Sequence, residues 1–318
     1  MCIAVDNAGN FIRYNGSTWS APAPAESFTG SLGSVSCAST TFCVAVDNFL
    51  GGASLYNGTT WSDISMSGGA GAVSSVSCPT TSFCMAVDAF GNAFSYDGSA
   101  WTEYANMDPS LMFSDGSLPP SSVSCASSSM CIAVDSESDA YRFDGSTWSP
   151  AQSLGGGQLT GVSCPTASFC LAVDVDGQAY TFNGTTWSAP SGVAPNNDGF
   201  VGVSCPTSSF CGAGDDGGNL LLYAAPGEAP VIITPILAAA KLASPYQAKT
   251  FHAFGGIAPY HWKKIGTLPK GMKFKNGVLS GTPKTTDRPG NYTFSVSVRD
   301  STKHAHQTAT VTVSLNLS

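Results

Sequence analysis

Ser74-Ser75-Val76-Ser77-Cys78-Pro79-Thr80-Thr81-Ser82-Phe83-Cys84-Met85-Ala86-Val87-Asp88, followed by Asn92-Ala93-Phe94-Ser95-Tyr96-Asp97-Gly98-Ser99-Ala100-Trp101-Thr102, is the stretch that decides the fold. Short runs of small, β-branched and aromatic residues, bounded by Gly, Asp and Ser, read as β-strands. The expected strands are Ser74–Cys78, Phe83–Asp88, Asn92–Tyr96 and Ser99–Thr102, here a to d in order. Asp97-Gly98 reads as the two-residue turn of a tight hairpin. That turn would set Tyr96 opposite Ser99 and Phe94 opposite Trp101.

The same unit recurs along the first 226 residues. Its second cysteine falls at Cys2, Cys43, Cys84, Cys131, Cys170 and Cys211, in steps of 41, 41, 47, 39 and 41 residues. A four-stranded unit of about 40 residues, repeated, is the blade of a β-propeller. The turn recurs as Asn15-Gly16, Asn57-Gly58, Asp144-Gly145 and Asn183-Gly184. By the same count Trp19 faces Ile12, Trp148 faces Tyr141, Trp187 faces Tyr180 and Trp61 faces the small Ser54. These tryptophans read as packing between blades, with platforms for stacked sugars as the alternative. The hairpin with its following Trp resembles a shortened Asp-box turn of the sialidase propellers, where the motif is structural. No sialidase activity follows, because that chemistry needs an arginine cluster and residues 1–226 hold only Arg13 and Arg142.

Five units carry paired cysteines: Cys37 and Cys43, Cys78 and Cys84, Cys125 and Cys131, Cys164 and Cys170, Cys205 and Cys211. Each pair flanks the a–b hairpin and reads as a disulfide, with Cys2 left over. Zinc is disfavoured, because each blade offers two thiols and the propeller has no histidine. Disulfides imply an oxidising compartment, so the protein is expected to be extracellular or at the cell surface. Asp6, Asp47, Asp88, Asp135, Asp174 and Asp215 end strand b in every unit and read as acceptors for turn N–H groups. Asp174-Val175-Asp176-Gly177 looks like part of a calcium loop without its remaining ligands, which leaves calcium at Asp174 and Asp176 as a secondary option. No other metal or cofactor is expected.

After a proline-rich joint at Pro226–Pro235 the chemistry changes. Gly255-Gly256-Ile257-Ala258-Pro259-Tyr260-His261-Trp262, Leu268-Pro269-Lys270-Gly271-Met272, Gly277-Val278-Leu279-Ser280-Gly281-Thr282-Pro283 and Gly290-Asn291-Tyr292-Thr293-Phe294 follow one another. With Val296, Val298 and Asp300 this order resembles the bacterial putative-Ig family, a cadherin-like β-sandwich of surface and secreted proteins. Tyr292, Phe294, Val296 and Val298 alternate with polar residues as a half-buried strand should, and Thr308–Leu317 reads as another. Cadherin-like relatives often bind calcium through clustered acids, but only Glu228, Asp287 and Asp300 are present here. His304 and His306 read as exposed decoration. The expected fold is therefore all-β: a six-bladed propeller over 1–226, with its ring incompletely closed, and an immunoglobulin-like sandwich over 227–318. The first unit lacks strand a and the last lacks strand d, so the chain reads as one that starts inside a repeat.

Charge divides the chain as well. Residues 1–226 carry a net −16 and residues 227–318 a net +8. Nucleic acid is an unlikely ligand, because the acidic domain would repel phosphate. No transmembrane helix is legible, since Leu220–Leu242 is broken by Pro226, Glu228, Pro230 and Pro235. The leading functional reading is a secreted or surface binding and adhesion protein. Its propeller would recognise a glycan or a surface protein, and its sandwich would serve as spacer, anchor or peripheral attachment. Two alternatives stay open: a carbohydrate-active hydrolase or lyase, and a structural stalk. No catalytic residues stand out. The 47-residue step places its surplus between Trp101 and Val123, so Tyr104, Met107, Asp108, Met112, Phe113 and Asp115 form the expected ligand-binding set on a d-to-a loop.

Overall fold

The computed structural model describes all residues except 17, 26–30, 50, 67–70, 105–106, 108–119, 195–197, 225–229, 236, 255–256, 258 and 303–305. Two compact units result, Met1–Leu221 and Leu222–Ser318. In the first, six antiparallel sheets follow one another; the outer two have three strands and the inner four have four. The third sheet runs Val73–Thr80, Phe83–Asp88, Ala93–Tyr96 and Trp101–Tyr104.

Each complete strand a pairs with strand b through two irregularities. Val73 opposes Asp88 but Ser75 opposes Val87, which leaves Ser74 as a bulge. The same shift recurs at Leu32/Ser34, Pro120/Ser122, Leu159/Gly161 and Phe200/Gly202. Strand b is almost wholly buried, as in Phe83–Asp88. Disulfides join Cys37 to Cys43, Cys78 to Cys84, Cys125 to Cys131, Cys164 to Cys170 and Cys205 to Cys211. Each closes a short hairpin loop and contributes about 2 kcal/mol by restricting the unfolded chain. Cys2 is exposed and unbridged.

The blades are joined at their inner strands by serine hydroxyls. Ser34 Oγ accepts the Val76 N–H at 3.3 Å and Ser36 Oγ accepts that of Cys78 at 2.9 Å. Ser75 and Ser77 repeat this for Val123 and Cys125, at 3.1 and 3.0 Å. Ser122 and Ser124 do so for Val162 and Cys164, and Ser163 for Cys205. The missing rung falls at Gly161, where a Cβ would stand 3.3 Å from Gly202 Cα and Val203 N. The repeated Ser-x-Ser-Cys thus supplies inter-blade acceptors as well as a strand.

The c–d hairpin corrects the expected register. Tyr56 opposes Trp61 and Tyr96 opposes Trp101, while Tyr14–Trp19, Phe143–Trp148 and Phe182–Trp187 form isolated bridges. Phe94 therefore faces Glu103, and Ser54 faces Asp63. The loop has four residues, closed by the Asp97 N–H to the Ala100 carbonyl at 3.2 Å. The Asp97 carboxylate accepts the N–H groups of Ser99 and Ala100, and only Gly98 takes a positive φ, 98°. A two-residue turn of the expected type needs positive φ at both positions. The corrected register gives each of the five hairpin tryptophans an aromatic partner, with ring centroids 5.1 to 5.4 Å apart.

The second unit pairs Tyr246–Thr250 with Val278–Gly281 and Met272–Lys275, and pairs His261–Gly266 with Gly290–Arg299 and Thr308–Leu317. Val231–Ile233 pairs with His252–Phe254. Phe251, Leu279, Phe294, Val296 and Leu315 form its core, with Trp262 and Phe274 against them.

Two outcomes follow. Replacing Ser75 with Ala leaves the Val123 N–H without its acceptor in a buried position, which should lower unfolding stability by about 1–3 kcal/mol in denaturant titrations. The second concerns acid. The N–H of Ala100 holds Asp97 at about 2, and that of Thr147 does the same for Asp144, against an ordinary 3.8. A depressed folded-state pKa contributes stability that is complete above about 4 and lost as pH falls toward 2. Burial lifts Asp135 and opposes this trend. Asn57 and Asn183 accept the same turn N–H groups in sister blades. The double variant Asp97→Asn, Asp144→Asn should therefore fold normally and show a smaller drop in Tm between pH 4 and pH 2.

Candidate functional site

In each four-stranded sheet the start of strand a, the b–c turn and the end of strand d lie at one edge, as the pairs Val73–Asp88 and Ala93–Tyr104 show. The repeated aspartates stand here, and they accept hydrogen bonds from the turns that follow them. Asp88 Oδ1 accepts the N–H groups of Phe90 and Asn92 at 2.8 and 2.9 Å, and Oδ2 accepts Gly71 N–H and the Asn92 amide. Asp135 accepts the N–H groups of Glu137 and Asp139 and the Tyr141 hydroxyl. Asp6 and Asp215 hold their turns in the same way. Carboxylates that hold the same turn in repeat after repeat have a structural role there.

At the calcium option, Asp174 is buried. Its Oδ1 accepts the N–H groups of Asp176 and Gln178, and its Oδ2 accepts Gly157 N–H and the Tyr180 hydroxyl. Burial, then this bond, raises the Tyr180 hydroxyl far above the ordinary phenol range. A cation would have to displace four protein donors, so the donor set does not fit calcium. In the sandwich, Asp300 is buried and accepts N–H groups from Ile257 and Gln307. Burial raises its pKa, but bonds from Thr302, Gln307 and Ile257 outweigh that and hold it at about 2. Asp287 caps Lys284 N–H. Glu228 and His304 lie outside the described residues. Among the described residues no group of three or more His, Cys, Asp or Glu could hold a metal, and no helix is long and apolar enough to cross a membrane.

Of the expected ligand-binding set, Tyr104 and Met107 are described. Tyr104 packs edge-on against Phe143 of the next blade at 5.6 Å, and Met107 is 5% exposed in the same cluster. Asp108, Met112, Phe113 and Asp115 lie outside the described residues. The tryptophans divide by place: Trp61 and Trp101 are buried between blades, whereas Trp19 is 51% exposed. Sequence reasoning missed Phe49 and Phe90. Each stands two residues after the repeated aspartate, in adjacent blades, and they are 76% and 48% exposed. The signal was a large apolar residue in a turn that Ala8, Glu137 and Gly217 fill elsewhere.

The family described as Putative Ig domain matches residues 229–315. No curated protein sequence matches the chain. Among solved structures, YCF48 bound to D1 peptide is 16% identical, with a TM-score of 0.53 over 70% of this chain and 74% of that one. U3-55K gives 8% identity and a TM-score of 0.58 over 70% and 73%. Virginiamycin B lyase from Staphylococcus aureus gives 8% identity and 0.52 over 69% and 78%. At these identities the likeness shows the fold: the chain is all-β, with sheets matching β-propellers and a C-terminal Putative Ig domain.

Proposed function

We propose that this is a secreted or cell-surface binding protein whose propeller recognises a glycan and whose immunoglobulin-like domain is a spacer or anchor. Five disulfides point to an oxidising, extracytoplasmic environment. The observation that carries the reading is the pair Phe49 and Phe90, exposed at equivalent turns of neighbouring blades. They stand in b–c turns, at the blade edge where strand d ends at Ile64 and Tyr104. Exposed aromatic faces stack on sugar rings, and large apolar groups held in water at equivalent positions mark an interaction surface. The scaffold does not choose between roles, since it carries a peptide complex in YCF48 and an enzyme in the Staphylococcus aureus lyase. Asp108, Met112, Phe113 and Asp115 would extend the same surface. Catalysis is the weaker reading, because the repeated carboxylates are consumed by their own turns.

The test is a glycan array with the oxidised protein, run beside the double variant Phe49→Ala, Phe90→Ala. Exposed positions of this kind shift stability by about 0.5 kcal/mol or less, so the variant should melt like the parent. Its array signal should disappear. Equal signals from both proteins would remove the Phe49–Phe90 surface, and turnover of a bound sugar would replace the binding reading with an enzymatic one.

A further inference from the structure

The repeat provides its own control for what fills the gap between two blades. Arg13 and Arg142, the two basic residues of the propeller, occupy the same place in strand c, one residue before Tyr14 and Phe143. Arg13 Nη1 donates to the Tyr56 hydroxyl of the following blade at 3.2 Å, and that hydroxyl donates onward to the Gly58 carbonyl. In the blade after Arg142 the equivalent residue is Phe182, which has no hydroxyl. Among the described residues no side chain bonds the Arg142 guanidinium.

The packing beside it changes too. Phe11 stands edge-on to Trp61 at 5.5 Å and fills the first gap. Its equivalents are Ala53, Ala93, Ala140 and Ala179, which lie opposite Ile64, Tyr104, Gln152 and Ser191 on strand d. Ile64 and Tyr104 pack against the next blade. Ser191 and, beside Arg142, Gln152 are exposed instead. What remains is a cleft of about 140 Å³ lined by Arg142, Gln152, Ser149, Thr185, Trp187 and Tyr141, among others. Trp187 is partly buried where Trp61 and Trp101 are buried.

We infer that this cleft binds a single acidic sugar residue through its carboxylate. An unbonded guanidinium offers a planar fork that matches a carboxylate with two parallel hydrogen bonds. Trp187 supplies an aromatic surface for a pyranose ring, and Gln152, Ser149 and Thr185 supply partners for its hydroxyls. The volume is below the roughly 300–1,000 Å³ of sites for drug-sized ligands, which suits one ring. The propeller's net −16 repels a polyanion at long range, so the ligand carries its carboxylate on an otherwise neutral body. The cleft is made of different residues from the Phe49–Phe90 surface and does not depend on it.

The experiment is a titration of the intact oxidised protein with methyl β-D-glucuronide and with methyl β-D-glucoside, which differ only in the carboxylate, followed by NMR or calorimetry. The glucuronide should saturate below about 20 mM and bind about tenfold or more tighter than the glucoside, the affinity of one charged hydrogen bond. Arg142→Ala should lose that margin, whereas Arg13→Ala should keep it. Phe182→Tyr is the decisive variant: its hydroxyl should latch Arg142 as Tyr56 latches Arg13, abolishing glucuronide binding while Tm holds or rises. Equal affinity for both sugars, no saturation by the parent, or unchanged binding in Arg142→Ala or Phe182→Tyr would overturn the site. Other array hits alongside such a failure would leave the binding function standing without this cleft.

Discussion

Everything in the propeller depends on satisfying the open edge of strand a. Each blade's sheet ends there, so alternate N–H groups along that strand have no ladder partner within the sheet. An unpaired edge invites association with other chains, and an unpaired buried N–H is costly. Here the acceptors are side chains of the previous blade, from Ser34 to Val76 and onward to Ser163 and Cys205. A serine hydroxyl has little reach, so neighbouring inner strands must lie close. The disulfide begins at the residue whose N–H takes the second rung, as at Cys78 and Cys125, and ties that strand to strand b. Two serines and two cysteines per unit therefore settle blade spacing, edge protection and the a–b register together.

A repeat that solves its own polar requirements leaves little for chemistry. The buried aspartates show this most directly, because their oxygens hold the b–c turn and the approach to strand a of the same blade. Function must then enter where one copy departs from the others. Phe49 and Phe90 depart by placing aromatic rings in turns. Arg142, Gln152 and Phe182 depart by leaving a blade junction unfilled. Neither departure disturbs the serine rungs, since Ser122 and Ser124 still bond Val162 and Cys164 beside the open junction.

Strands b and their cysteine pairs were legible because they are local: a short apolar run between turn residues admits one reading. Thr308–Leu317 was legible for the same reason. The c–d register was not, because Asp-Gly is shared by two kinds of turn. The deciding residue came after the glycine. In Asp97-Gly98-Ser99 and Asn57-Gly58-Thr59 the side-chain oxygen captures the next two N–H groups, and the loop grows to four residues. The serine rungs were hidden for another reason. Periodicity tells which face of a strand is buried, but a rung concerns its edge, and the partner lies some 40 residues away in sequence. The Arg142 cleft could be found only after the register was corrected, since the mistaken one placed Trp187 against Tyr180.

The open junction also has an energetic meaning. Filling it as Phe11, Ile64 or Tyr104 fill theirs would gain about 1.5–3 kcal/mol for a buried large side chain. A sequence that already knows three ways to plug this gap instead places a polar amide, a free guanidinium and a phenylalanine that cannot latch it. Natural proteins forgo local consistency chiefly at functional or strained positions. Strain enters this blade at Ser138, whose φ is 71° where Gly9, Gly91 and Gly177 stand in sister turns, but that residue does not line the cleft. The side chains that depart from the repeat line one gap, and a bound ligand is what would supply the contacts they leave unmade.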